Sequence, residues 1–409
     1  MTITRRDFVV SGLTATGVSL VVPPVLAKAV YAATADGIHN DRVLVVVQMA
    51  GGNDGLNTVV PYADPAYMSV RPSLGVPPEK VLHIDAAVGL NPVLAGVKRL
   101  YDSGQVAIVQ GVGYDQPTYS HFEGMYVWEH ADPARRQTDG WLGKLLASQL
   151  DSLGHPLTAC ALGEVSTPPE MQADKATVTV IESTAAYQVQ GGAVRRNAAP
   201  ALYRRTPGIY GALLDRALST AESGISALQT SAGKYKPAVA YTSPSAGGGA
   251  TNALATSLQL TAEMIVTEPS VKICHVVLGG FDTHQDETAR QAALLTDVDA
   301  AVSAFMQDIA AHGHADRVVL MTWSEFGRRI HENGSRGTDH GAAAPVFVMG
   351  KPVRGGLYGE SPSLTNTVDS GNLKYTVDFR SVYQALIRDW LQGDAASVLD
   401  ASYPELPLI

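Results

Sequence analysis

Cysteine is scarce in this chain. There are two among 409 residues, Cys160 and Cys274, far apart and outside any CxxC or Cys/His cluster. That pattern argues against a thiolate zinc site and leaves open a single disulfide between the two. Charge is sparse too, at 17% of residues with a net of −9. Such a chain lacks the basic face that nucleic acid requires. With 45% hydrophobic residues beside so few charges, a mostly disordered chain is excluded. Beyond the N-terminus no apolar run is long enough to span a bilayer. A GxGxxG fingerprint is missing, which leaves a dinucleotide fold little support.

What is present begins with an address. Arg5 and Arg6 are paired, Phe8 stands two positions on, and an apolar stretch broken by Gly, Ser, Pro23 and Pro24 follows. Small residues near Ala32 suit cleavage. Residues 1–32 resemble a twin-arginine export signal, too short and too Pro-broken for a membrane anchor. Such a signal implies the twin-arginine translocase as an export partner, and a periplasmic or secreted mature chain. The remainder, 41–409, reads as a single α/β domain. A Pro-, Gly-, Ser- and Ala-rich stretch at about 168–248, with Arg195, Arg196, Arg204 and Arg205, reads as an insertion or lid.

The domain is organised around residues 315–350. Val318–Thr322 is an apolar, β-branched strand, and Ser324, Glu325, Arg328, Arg329 and His331 crowd the turn after it. A Gly-rich loop then delivers Asp339-His340-Gly341 to a strand at Val346–Met349. The same pattern recurs. Val43–Met49 ends in AGGNDG, where Asp54 suits either a metal ligand or a turn-stabilising aspartate. A helix at Asn91–Ser103 leads to a strand at Val106–Gln110, followed by Asp115, Ser120, His121 and Glu123. Ser120 is placed either as a nucleophile or as a helix N-cap. Helices are expected at Trp141–Leu150 and Leu258–Val266. The run Val271–Leu278 ends in GGFDTHQDE, and Asp282 and His284 fall on one side of an extended segment, where one ion can bridge them. A long amphipathic helix at Glu287–Ala311 and a last helix in VDFRSVYQALIRDWLQ complete the pattern. Strand, helix, strand is the parallel βαβ signature, and open α/β sheets build sites at the carboxyl edge.

VVVQMAGGNDGLNTVVPY, SHFEGMYVWE, GWLGKLL, GGFDTH, SEFGR, GTDHG and VDFRSVY together resemble one family along nearly the whole mature chain. It is the group of twin-arginine-exported bacterial proteins known as domain of unknown function 1501. More distantly they resemble the alkaline phosphatase–sulfatase superfamily. The resemblance implies an alkaline-phosphatase-like three-layer sandwich, with a mostly parallel central sheet, helices on both faces and two divalent metals at the carboxyl edge. Asp54 matches that superfamily's first metal-binding aspartate, and Ser120 occupies roughly the place of its nucleophile. Asp282 and His284 resemble its mid-chain Asp…His pair at a shorter spacing. Asp339 and His340 look like its Asp-His-Gly, or His340 like its late histidine; on the latter alignment Glu325 replaces an aspartate and Phe326 a metal-binding histidine. No histidine follows His340, so one ligand is missing either way. The formylglycine motif is absent, which disfavours a standard sulfatase.

The expected function is an exported metal-dependent hydrolase of phosphate or related anionic esters. Asp54, Asp282, His284, Glu325, Asp339 and His340 are its candidate ligands for zinc, manganese, magnesium or calcium. Ser120, His121 and Arg328 are the candidate catalytic residues, with Arg328 or Arg336 neutralising the ester's oxygens. The alternative is a non-catalytic exported binding or assembly protein that keeps the fold, which Phe326 favours. Ionisable groups at four separate strand ends favour the enzyme.

Overall fold

The structure, a computed structural model, describes residues 38–150, 157–182, 234–246, 253–369 and 371–409, together with Ser152, His155, Gly224 and Ser226. The expected export signal and most of the expected insertion lie outside the described residues. The strands of the main sheet are β1 (Val43–Ala50), β2 (Val106–Gly113), β3 (Ala159–Leu162), β4 (Thr179–Ile181), β5 (Ile273–Gly279), β6 (Val318–Trp323), β7 (Ala344–Met349), β8 (Gly356–Tyr358) and β9 (Val377–Asp378). They run in the order β8-β2-β7-β6-β1-β5-β3-β4, with β9 also beside β2. All pairings are parallel except the two made by β7.

β1 is apolar throughout because it is covered on both faces. Val43, Val45 and Val47 pack into one core with residues of α1 (Ala95–Asp102), α4 (Ala253–Thr267) and α5 (Glu287–Ala311). Leu44 and Val46 point the other way, into a second core with α2 (His121–His130), α3 (Trp141–Gln149) and α6 (Phe379–Ala385). The result is the expected α/β sandwich of three layers. Among the described residues no helix is long and apolar enough to cross a membrane.

Cys160 and Cys274 face one another in register on β3 and β5. Both are buried and free, so the possible disulfide is not formed. Burial pushes the Cys274 thiol up to about 12, which leaves it a small core residue.

β1, β5 and β6 are parallel neighbours, so their carboxyl ends lie side by side. β7 runs backwards and starts at that same edge, which keeps the whole of 324–343 there. Its register shifts between Ala344 and Val346, where Pro345 has no N–H to give the ladder. The turn after β1 is closely packed. Gly51 and Gly52 have φ of +119° and +77°, and a Cβ on Gly52 would sit 2.3 Å from Phe326 Cε2. Gly52→Ala should therefore cost about 1–3 kcal/mol from backbone strain and crowding. Urea unfolding with an unchanged slope and a lowered midpoint is the expected result; an unshifted midpoint would show that the turn is not strained.

Candidate metal centre

Asp282, three residues beyond β5, is the hub of the edge. Its Oδ1 lies 3.0 Å from His284 Nε2 and 3.2 Å from His340 Nε2, and its Oδ2 lies 3.5 Å from His121 Nε2. The Nε2 atoms of His284 and His340 are 3.0 Å apart. Ligand atoms of His121, Asp282 and His340 all fall within 4.8 Å of one another.

Each ring is held from behind. His340 Nδ1 is 2.7 Å from the Tyr119 carbonyl oxygen. A carbonyl only accepts, so Nδ1 carries the proton and Nε2 is the free nitrogen. His121 Nδ1 donates to Glu325 Oε1 at 2.8 Å, and the same oxygen accepts from Gly51 N–H at 2.9 Å. His284 Nδ1 is 3.3 Å from Asp339 Oδ1, which Asn333 Nδ2 also holds at 3.1 Å. Partners of this kind fix tautomer and aim in metal-binding histidines. The donor set therefore fits a divalent cation.

The local charges agree. Burial would raise the Asp282 carboxyl, but the Arg328 hydrogen bond and charge, with His340 and His284, bring it down to about 2. Burial, joined by Arg328 and His121, lowers the His340 imidazole below its ordinary value despite Tyr119 and Asp282. A carboxylate and an unprotonated imidazole are the forms that bind a cation.

Of the candidates read from the sequence, Asp282, His284, His340 and His121 are brought together. Glu325 and Asp339 stand behind His121 and His284 as their hydrogen-bond partners. Asp54 is placed apart, and the turn-stabilising alternative describes it. It is 1% exposed, caps the one-turn helix Gly55–Thr58, and forms a two-pronged ion pair with Arg71. Arg328 is 1% exposed, and its fork is filled by Asp282 Oδ1 and the carbonyls of Gly51, Gly52, Phe281 and Thr338. Buried among these acceptors, the guanidinium is not open to a substrate oxygen. Arg336 is exposed and pairs with Asp286. Ser120 precedes α2, but its hydroxyl does not cap the helix, and no described group hydrogen-bonds its Oγ. Phe326 fills a wall position, its ring centroid 4.9 Å from that of His121 and 4.6 Å from that of His340.

Beside the cluster lies a solvent-open cavity of about 290 Å³, lined by Tyr119, His284, Arg329, Asp339, His340, Asp369 and Asn372. Tyr119, Arg329, Asp369 and Asn372 were not among the expected site residues. Arg329 follows Arg328 in the sequence, and the structure sets the two side chains on opposite sides. Arg328 bridges His340 in extended conformation, and consecutive side chains of an extended segment face opposite sides.

A mostly parallel α/β sandwich with a histidine–aspartate cluster at the carboxyl edge of its sheet is the class of protein that this geometry defines. The chain belongs to the family described as protein of unknown function (DUF1501), which matches residues 129–382. Among solved structures it is similar to the C-terminal periplasmic domain of EcEptC from Escherichia coli in complex with Zn, at 9% identity, covering 78% of this chain and 75% of that one, with a TM-score of 0.37. It is also similar to a protein in the alkaline phosphatase superfamily from Vibrio parahaemolyticus (9% identity, 78% and 62% covered, TM-score 0.36). A third is PsFucS1 sulfatase from Pseudoalteromonas sp. (11% identity, 90% and 73% covered, TM-score 0.35). Among curated proteins none matches.

The Asp54–Arg71 pair has a third member. Burial alone would raise Asp54, yet the charge and hydrogen bonds of Arg71 hold it below its ordinary value. Glu287 is buried within the field of Asp54, and burial with the Asp54 charge raises its carboxyl well above its ordinary value of 4.5. One guanidinium thus balances one of two carboxylates, and the other keeps its proton. Below pH 4.5 folded and unfolded chains both hold that proton; above it only the folded chain does. Unfolding then releases a proton, so stability falls as pH rises, until the folded carboxyl also ionises. Glu287→Gln, which mimics the protonated form, should change stability little at neutral pH and flatten this slope. Arg71→Met should cost about 3–5 kcal/mol by leaving Asp54 buried and unpaired. Urea unfolding across pH checks both, and a wild type already flat from acid to alkaline pH would overturn the assignment.

Proposed function

We propose that the protein is an exported, metal-dependent hydrolase of phosphate or related anionic esters. The observation that carries this reading is the convergence of three histidine Nε2 atoms on Asp282, each ring fixed from behind. His121, Asp282, His284 and His340 would hold the ion. A set of three imidazoles and one carboxylate suits zinc better than magnesium or calcium, which favour oxygen ligands. When bound, such an ion polarises an ester oxygen and makes water a nucleophile near neutral pH. The chain's own residues do the positioning. Arg328 keeps Asp282 ionised and aimed, Glu325 orients His121, and Asp339 orients His284. Since no described group stands ready to take the Ser120 proton, Ser120 is disfavoured as the nucleophile. The Arg5-Arg6 segment supports export by the twin-arginine translocase to the periplasm or beyond.

A second reading, a non-catalytic binding or assembly protein, is favoured by the same unassisted Ser120 and by Phe326 packed against two of the rings. Elemental analysis of the chain, expressed through its own export route, separates the two. Wild type should retain about one equivalent of metal, as a single His/Asp site would. Asp282→Asn should lose it, and Glu325→Gln should bind it roughly 10–100-fold more weakly. Hydrolysis of p-nitrophenyl phosphate or sulfate should fall in parallel. Metal retained without turnover of any ester supports the second reading; no metal under any loading condition ends the hydrolase reading.

A further inference from the structure

The cavity beside the cluster holds more than a metal hydrolase requires. Asn372 lines it and is 1% exposed, yet its Oδ1 has no hydrogen-bond partner. A buried amide oxygen is costly to leave unmatched, so its position makes sense if a ligand's donor reaches it. Arg329 lines the same space, and its guanidinium makes neither an ion pair nor a hydrogen bond with a described residue. Its backbone is fixed: the N–H donates to the Asp339 carbonyl at 3.0 Å, and its own carbonyl accepts from Arg71 at 2.7 Å. The cation therefore stands on a rigid base, free for an anion.

Two carboxylates of the wall keep an acceptor open. Asp369 receives the Tyr119 hydroxyl on Oδ2 at 2.5 Å, which leaves Oδ1 open. Asp339 holds Asn333 and His284 through Oδ1, which leaves Oδ2 open. With no ion bound, one cation beside three unfilled acceptors is a poor match for a bare inorganic anion, because among the wall side chains only Arg329 attracts it and two carboxylates repel it. The set suits a ligand that carries several hydroxyl donors next to one anionic group. About 290 Å³ is near the small end of ligand pockets, roughly 300 Å³, and accommodates one sugar unit.

We propose that this cavity is a subsite for a carbohydrate monoester, with Arg329 taking the anionic ester group and Asn372, Asp369 and Asp339 accepting hydroxyls of the sugar. The proposal rests on the hydrolase reading for the chemistry at the ester, but binding does not require turnover.

Isothermal titration of the full mature chain tests it, with glucose 6-phosphate, glucose 6-sulfate, inorganic phosphate, inorganic sulfate and glucose as probes. The sugar esters should bind about tenfold or more tightly than the matching inorganic anions, the worth of one good hydrogen bond. Asn372→Ala and Asp369→Asn should each erode that advantage while bound metal stays unchanged. The Asp369 position is exposed, so this second variant keeps the test open if the buried one misfolds. Arg329→Gln should weaken every anion about tenfold. The better of the phosphate and sulfate arms identifies the anionic group. Sugar esters that bind no better than the inorganic anions, or an advantage that survives both substitutions, would overturn the subsite. The two readings fail separately. Metal retention and p-nitrophenyl ester cleavage without sugar preference leave the hydrolase standing; sugar-ester binding without metal or turnover leaves the subsite standing.

Discussion

The Arg328 guanidinium lies wholly inside the protein, and the groups it touches come from three separate segments of the sheet edge. It donates to the carbonyls of Gly51 and Gly52 after β1, to Phe281 O and Asp282 Oδ1 after β5, and to Thr338 O ahead of β7. A guanidinium offers five N–H groups in a rigid plane, and burying it is unfavourable by several kcal/mol unless the fork is filled. Here the filling is also what the loops need, since a buried carbonyl without a donor is itself destabilising. One side chain thus holds the turn after β1, the Asp282 segment and the Asp339–His340 segment at fixed spacing. The same contact keeps Asp282 ionised, so mechanical and electrostatic support arrive together. Arg71 supports the neighbouring stretch, pairing with Asp54 and donating to the Arg329 and Ile330 carbonyls.

Because Arg328 and His340 bridge in extended conformation, side chains around them divide by alternation. Arg328 goes inward to hold the scaffold and Arg329 goes outward to line the cavity. A slip of one residue would exchange these roles, burying the free cation and exposing the structural one. Gly51 enforces the spacing from the other side, because a Cβ there would meet Asp282 N at 2.5 Å.

The strand ends were legible in the sequence for a physical reason. Strands buried on both faces read as continuous apolar runs, and the polar burst after each run marks where it leaves the sheet. The α5 helix stands at the expected Glu287–Ala311. The α1 helix starts at Ala95 rather than near Asn91, whose amide is drawn instead to the Asn57 carbonyl. Which carboxylates ligate and which support was not legible, because that depends on partners distant in sequence. Arg71 sits in SVRPSLG, where no pattern marks it as the counter-charge of Asp54. Nor did ICHVVLG mark His275 as more than part of an apolar run. It lies in the interior of β5, 2.6 Å from Glu164 and 2.7 Å from Glu170, and against the opposing effect of burial these carboxylates raise it to about 10.

The charge balance of the cluster bears on what it can do. Asp282 is the only carboxylate among the four converging side chains, and Arg328 already neutralises it. A divalent ion held there would keep most of its charge, whereas a site built from several carboxylates would quench it. Such an ion would be the stronger Lewis acid, and on the proposed function it would raise the potential that an anionic ester meets in the cavity. The drawback is affinity, since hard oxygen-seeking ions gain little from imidazoles. On the proposed function, orientation from behind would offset that loss: Glu325, Tyr119 O and Asp339 hold the three rings in place, so little ordering would remain to oppose binding. Glu325 and Asp339, expected from the sequence as ligands, would then be as necessary to a metal centre as the histidines they hold.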